Sequence, residues 1–440
     1  MQKKYLIVTF GCQMNVHESE KLAGILRARG YEEGKNEEEA DIIVFNTCCV
    51  RENAENTAYG HIGALKRLKK SKPDMLIAVG GCMTQQKDAA EKLQKTFPFV
   101  DIIFGTHNLE ELGVLMDKRL SSKTSIVDIW EKAGDINEED IAYRTGYPNA
   151  WVNIMYGCNN FCTYCIVPKV RGKERSRSID AIVQEVYGLL DKGYKEITLL
   201  GQNVNSYGNG KDENFAKLLE KICQRNDKFR LRFMTSHPKD FNEELVQVIA
   251  KYPQICNLIH LPVQAGSNRV LKMMGRQYTR EDYLEKVAIL KKYIPNAELT
   301  TDLMVGFPNE TEEDFLQTLQ IVEEADFFSA FTFVYSVRSG TPAAIMKGHL
   351  SEEVKKDRIM RLVALVNEKT REKAKKYQDK IIEILVEGFD EKKGMYYGRD
   401  EFGRMGYFVD NAPESEMIGQ FIQIKVQKTA GVAVEGVRLV

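Results

Sequence analysis

Short apolar runs alternate with helix-compatible segments along most of this chain, and that alternation restricts the fold more than any other feature. Tyr5–Phe10, Ile42–Phe45 and Leu76–Val79 are apolar and rich in β-branched residues. Helix-compatible stretches follow them near Glu18–Arg29, Ala54–Lys70 and Gln85–Lys95. Strand and helix in alternation predict a parallel sheet covered on both faces. In such sheets, sites lie beyond the carboxyl ends of the strands. The three runs end at Gly11-Cys12, Asn46-Thr47-Cys48-Cys49 and Gly80-Gly81-Cys82. Cys12, Cys48 and Cys82 are therefore expected at one end of one sheet, although 36 and 34 residues separate them. Three buried thiols would give the same pattern, since free Cys is commonly buried. A metal site, with backbone amides of Gly/Thr-rich turns facing its sulfurs, is the alternative. Cys49 is expected to point elsewhere, and Cys223 and Cys256 read as core residues.

Ser121–Asn149 is a polar, acidic connection carrying Asp135-Ile136-Asn137-Glu138-Glu139-Asp140, with room for one short strand. Alternation then resumes. Strands are predicted at Val152–Met155, Glu196–Leu200, Arg230–Met234, Asn257–Leu261, Glu298–Met304 and Phe331–Tyr335, with helices such as Ile179–Lys192 and Arg280–Tyr293 between them. Six such units predict an open version of the eight-fold βα barrel, with its site at the C-terminal strand ends. A charged helix, Glu352–Lys376, leads to five short strands within Ile381–Leu439, which predict a small β-barrel of the oligonucleotide-binding sort. The fold class is thus α/β, divided as an N-terminal parallel-sheet domain (1–120), a linker (121–143), a partial (βα)6 core (144–376) and a terminal β-barrel (377–440).

The 440 residues suffice for several domains with a substantial core. A net charge of −1 excludes a whole-molecule electrostatic nucleic-acid binder, so such a role must rest on local patches. The first apolar run is too short for a signal peptide or membrane span. A cytoplasmic monomer with no membrane attachment is expected, and in that compartment clustered cysteines point to metal or redox chemistry rather than disulfides.

The densest chemistry is the phrase Tyr156-Gly157-Cys158-Asn159-Asn160-Phe161-Cys162-Thr163-Tyr164-Cys165. A structural zinc site would want four ligands, and no second cysteine pair or histidine lies nearby. Iron–sulfur cubanes normally take four cysteines, so three in one loop leave an iron open for substrate. Gly201-Gln202-Asn203, Gln264-Ala265-Gly266-Ser267-Asn268 and Val305-Gly306-Phe307-Pro308 follow predicted barrel strands. Their glycines permit close approach and their Gln, Asn and Ser side chains offer neutral hydrogen bonds. Plain turns share that composition; its repetition at one barrel end makes Gln202, Asn203, Gln264, Ser267 and Gly306 cofactor-binding candidates. Lys169, Arg171, Lys173, Arg175 and Arg177 form a basic run. A solvated face is the plain reading; beside a reactive loop, Lys169, Arg171, Lys173 and Arg175 are candidate phosphate anchors. His237 and His260 are read as hydrogen-bonded core or turn residues.

The cluster loop, followed by Arg171-Gly172-Lys173-Glu174-Arg175-Ser176-Arg177, resembles the radical S-adenosylmethionine methylthiotransferases. The resemblance extends to Thr9–Asn15, Asn46-Thr47-Cys48, Gly80-Gly81-Cys82, His260–Ser267 and Thr301–Pro308, in the family's order and over essentially the whole chain. It implies two 4Fe–4S clusters, one on Cys158, Cys162 and Cys165 that binds S-adenosylmethionine, and an auxiliary one on Cys12, Cys48 and Cys82 that delivers sulfur. It adds Asp302 to the cofactor-binding candidates and implies a terminal TRAM barrel. Cys12-Gln13-Met14-Asn15 is similar to the branch that methylthiolates C2 of N6-isopentenyladenosine next to the tRNA anticodon. The implied partners are a tRNA anticodon stem-loop, an electron donor and a sulfur or iron–sulfur supply protein. A ribosomal-protein aspartate methylthiotransferase and a non-catalytic iron–sulfur RNA-binding protein are the alternatives. One departure stands out: Lys380–Val440 holds eight Lys or Arg against ten Asp or Glu, so stacking by Tyr396, Tyr397, Phe402 or Tyr407 is expected to supplement charge there.

Overall fold

A computed structural model describes residues 2–49, 52–86, 88–139, 141–208 and 212–439. Asp140, and Lys87 within an expected helix, lie outside the described residues. In chain order the first elements are β1 (Lys4–Thr9), α1 (Gln13–Ala28), β2 (Glu32–Glu33), β3 (Ile42–Thr47), α2 (Glu52–Ser71), β4 (Leu76–Gly81), α3 (Ala89–Thr96), β5 (Ile102–Phe104), α4 (Leu112–Ser122) and β6 (Ile126–Asp128). They are followed by β7 (Asn149–Asn153), β8 (Met155–Tyr156), α5 (Val167–Arg171), β9 (Arg175–Ser176), α6 (Ile179–Asp191), β10 (Glu196–Leu200), α7 (Phe215–Ile222), β11 (Arg230–Phe233), α8 (Glu243–Lys251) and β12 (Leu258–His260). Then come α9 (Asn268–Met273), α10 (Arg280–Tyr293), β13 (Glu298–Val305), α11 (Glu312–Glu324), β14 (Ser329–Val334) and α12 (Glu352–Lys375).

The chain divides into two compact units. The first comprises Met1–Thr145, Met155–Asn160 and Cys165–Ala181; the second comprises Gly146–Ile154, Phe161–Tyr164 and Ile182–Val440. In the first, a parallel sheet runs β2-β1-β3-β4-β5-β6. β3 and β4 are buried at every position, as central strands covered on both faces must be, and so read as continuous apolar runs. One apolar layer includes Leu22, Leu26, Val44 and Phe104; the other includes Ile43, Phe45, Ile62 and Val79. β6 is the short strand that the acidic connection had room for, and it closes one sheet edge.

Two boundaries differ from expectation for a physical reason. α1 begins at Gln13, because Asn15, His17, Glu18, Ser19 and Glu20 are buried polar residues that leave no apolar period to read. α3 begins only at Ala89, because a turn after Gly81 is held by Thr84, whose hydroxyl donates to Gly81 and Phe104 carbonyls.

The second unit carries the six barrel strands as two parallel ladders, β11-β10-β7 and β12-β13-β14, with a single bridge between Leu231 and Ile255. The terminal strands β15 (Ile381–Asp390), β16 (Met395–Arg399), β17 (Met405–Phe408), β18 (Phe421–Ala430) and β19 (Ala433–Arg438) close a barrel in the order β15-β16-β17-β19-β18. Its Asp400–Arg404 loop docks on the amino ends of barrel strands. Arg230 donates to the Arg399 carbonyl, and Arg232 donates to those of Asp400 and Glu401. Arg404 is fully buried, its guanidinium carbon 3.1 Å from the Tyr377 ring centre. One expected stacking residue is excluded, since Tyr396 lies in the small barrel's core; Phe402 is half-buried against Arg404. Tyr397 and Tyr407 instead line a cleft of about 430 Å³, with Lys393 above Tyr407 at 3.6 Å.

Candidate metal centres

The parallel order of β1, β3 and β4 puts Cys12, Cys48 and Cys82 just beyond three adjacent strand ends. Cys12 is the residue immediately before α1. Cys48 and Cys82 are buried. A polar net ties the three ends together. The Asn15 amide donates to Asn46 and to the Thr47 carbonyl, Asn46 donates back to the Asn15 carbonyl at 2.8 Å, and Thr47 donates to the Gly80 carbonyl at 2.6 Å. Gly11, at φ +123°, allows this crowding: a Cβ there would lie 2.8 Å from that of Cys48.

Cys49 corrects one expectation. It does not point away; it is buried with Cys82, Ile166 and Val170. Its thiol hydrogen-bonds Cys82, and that bond, with the Arg171 guanidinium, draws the Cys82 thiol down against the pull of burial. The same thiol–thiol bond, then burial, pushes Cys49 up. Burial pushes Cys223 and Cys256 up to about 12, as inert core thiols require.

Arg171 is a second correction. It is not a surface phosphate anchor; it is buried, and both its terminal nitrogens bind the Glu18 carboxylate, one of them at 3.0 Å. Arg177 is likewise taken inside, on Glu138 at 2.9 Å. Arg175 is half-buried over the Tyr156 ring. Only Lys169 and Lys173 of that run are exposed. An alternating basic sequence splits this way because its hairpin, β8 with β9, is packed into the first unit. Gly157 (φ +77°) permits the hairpin, since a Cβ would fall 2.2 Å from the Lys173 carbonyl oxygen.

In the cysteine loop, the Asn160 amide points at the Cys158 sulfur at 3.4 Å. Cys165 is half-buried just before α5. Cys162 is buried, and Arg276 Nη1 donates to its sulfur at 3.4 Å. None of the nine cysteines forms a disulfide. Among the described residues no three His, Cys, Asp or Glu side chains gather at single-ion spacing. A cubane separates its thiolates more widely than one ion does, so donors set on separate turns suit a cluster.

At the carboxyl ends of β10 and β11, Asn203 donates to Asp240 at 2.7 Å, while its buried Oδ1 has no partner among the described residues. The same holds for both amide atoms of Asn205 and the Ser236 hydroxyl. Buried polar atoms without partners are costly, so this set fits a polar ligand such as S-adenosylmethionine. Gln202 lies beside it in the same turn. Gln264, at φ +74°, ties its backbone into β13 beside Asp302, whose carboxylate lies 3.7 Å from His260. Two candidates are otherwise committed. Ser267 caps α9 and donates to Asp314 at 2.6 Å, and the Gly306 amide donates to buried Glu310 at 2.7 Å. Glu18, Asn205, Ser236 and Arg276 went unread in the sequence, because no local spacing marks them; their meaning comes from burial and partners.

Residues 152–322 match the Radical SAM superfamily, 4–105 the Uncharacterized protein family UPF0004, and 375–437 the TRAM domain. The solved radical S-adenosylmethionine methyltransferase TsrM from Kitasatospora setae, with cobalamin and a 4Fe–4S cluster bound, is similar at a TM-score of 0.60 and 14% identity, covering 78% of this chain and 74% of that one. That likeness speaks to the fold alone. Fold, cysteine loop and superfamily match define a radical S-adenosylmethionine enzyme. The tRNA-2-methylthio-N(6)-dimethylallyladenosine synthase of Clostridium tetani is 49% identical over 435 residues, 98% of this chain and 95% of that one. Its counterpart in Acetivibrio thermocellus is 48% identical over 438 residues, 99% and 91% of the two chains. This chain belongs to that family. Among the described residues no helix is long and apolar enough to cross a membrane.

Proposed function

We propose that this chain adds a methylthio group to C2 of N6-isopentenyladenosine beside the anticodon of tRNA. The observation that carries this reading is 49% identity, over 98% of the chain, to a synthase of that modification. When bound, two 4Fe–4S clusters and S-adenosylmethionine supply radical hydrogen abstraction from an inert aromatic C–H bond, sulfur and a methyl group. The chain's own residues hold and orient. Cys158, Cys162 and Cys165 hold the radical cluster, and Cys12, Cys48 and Cys82 the auxiliary one. Asn203, Asn205 and Ser236 offer neutral hydrogen bonds to S-adenosylmethionine from the barrel's carboxyl end. Gln202, Gln264 and Asp302 line the same end.

Lys169 and Lys173 meet the RNA backbone, and Tyr397 and Tyr407 offer faces for unstacked bases, consistent with a slightly acidic terminal barrel. The base must leave its stack to reach the iron site, which favours an anticodon-loop nucleotide. A cytoplasmic electron donor and an iron–sulfur supply protein complete the set of partners.

Mass analysis of tRNA nucleosides from cells lacking this protein tests the reading, with loss of the methylthio nucleoside and accumulation of its isopentenyl precursor expected. Turnover of an isolated ribosomal protein, with none of the isopentenylated RNA, would overturn it. In binding assays, Lys169→Ala and Lys173→Ala should each flatten the salt dependence by about one log–log unit.

A further inference from the structure

Arg276 is buried and wholly occupied by neutral groups, except at one atom. Its Nε donates to the Tyr278 hydroxyl at 2.8 Å, Nη2 to the Pro262 carbonyl at 3.0 Å, and Nη1 to the Tyr164 hydroxyl and the Cys162 sulfur, each at 3.4 Å. Among the described residues no carboxylate pairs with it. The nearby His237 ring adds no second positive charge: burial, then Arg276, hold it neutral, with its pKa down at about 2. A buried guanidinium without an anion is strongly disfavoured. The geometry that keeps it there is deliberate. The Thr163 amide and hydroxyl donate to the Met274 and Met273 carbonyls, each at 2.9 Å, stitching Phe161–Tyr164 to the end of α9. Gly275 (φ +71°) makes the approach possible, since a Cβ would lie 2.9 Å from the Phe161 carbonyl oxygen.

We propose that Arg276 is a positioning residue for the radical cluster: its charge is balanced by the Cys162 thiolate in the cluster, and in return it makes that cluster easier to reduce. The inference rests on the reading of Cys162 as a ligand. A hydrogen-bonded cation at a cluster sulfur offsets the negative charge added on reduction, one of the protein's main levers on potential.

The test is a redox titration of Arg276→Met and Arg276→Lys in full-length, anaerobically reconstituted protein. A Cys12, Cys48 and Cys82 triple-Ala background leaves one cluster to titrate. Arg276→Met should retain about four irons while its cluster titrates to lower potential. The reduced-to-oxidised ratio at fixed potential should fall at least tenfold, equivalent to about 59 mV for one electron. Arg276→Lys should recover most of the shift, and 5′-deoxyadenosine formation should follow the reduced fraction. An unchanged potential in Arg276→Met would overturn the proposal. So would loss of the cluster in both variants, which would mark a purely structural role. Cys162→Ala separates this failure from that of the underlying reading: if it keeps its iron and still makes 5′-deoxyadenosine, the ligand assignment fails, whatever Arg276 does.

Discussion

Each cysteine group has a buried arginine against it, and the two arginines are balanced differently. Arg171, beside Cys82, is neutralised by a bidentate Glu18. Arg276, on Cys162, has only neutral oxygen partners besides the sulfur among the described residues. A guanidinium–carboxylate pair is closed and is satisfied whether or not anything sits on the neighbouring thiols. An unmatched guanidinium is satisfied only when its sulfur partner is anionic. The first arrangement reads as architecture: it ties the segment after the cysteine loop to α1. The second reads as tuning.

The largest effect expected from that contrast comes from removing the architectural group altogether. Replacing Cys12, Cys48 and Cys82 with Ala should leave one cluster of about four irons that still cleaves S-adenosylmethionine, with methylthio product abolished. Full product formation by this variant would end the distinction between a radical and a sulfur-supplying group. Next is the ion pair. Glu18→Ala strands a buried cation and should cost roughly 3–5 kcal/mol in denaturant unfolding, whereas the Glu18→Met, Arg171→Met double variant should recover most of it. If the double variant is as unstable as the single, Arg171 is held by something other than Glu18.

The smallest effect concerns Ser267, read from sequence as a cofactor contact and found capping α9. Ser267→Ala should cost about 1 kcal/mol and leave the KM for S-adenosylmethionine unchanged. A raised KM with unchanged stability would restore the earlier reading. The loss should also depend on pH. Burial raises the Asp314 carboxyl, but hydrogen bonds from Arg269, Ser267 and Thr311 outweigh it and bring it down to about 2. A depressed carboxylate stabilises the fold above its unfolded value of 3.8 and loses that contribution as pH falls towards 2. The penalty of Ser267→Ala should therefore shrink across that window in acid titrations followed by circular dichroism.

Much was legible in the residues alone. Three strands of the parallel sheet, β1, β3 and β4, the six barrel strands and the five of the terminal barrel announced themselves, because burial on a sheet selects continuous or alternating apolar residues; the two- and three-residue strands β2 and β5 were too short to show a pattern. The cysteine loop was legible because three ligands lie within one turn of chain. Cys12, Cys48 and Cys82 could be grouped because parallel connection sends every strand's carboxyl end to the same side. Tertiary structure decided the rest. Buried polar faces carry no apolar period, so the start of α1 and the role of Glu18 were invisible in the sequence. A basic run does not show which of its members goes inside; pairing with Glu18 and Glu138 took Arg171 and Arg177, and left Lys169 and Lys173 outside. Arg276 sits more than a hundred residues from Cys162. Its importance comes from the charge that is missing around it, and only the packed chain reveals what a buried group lacks.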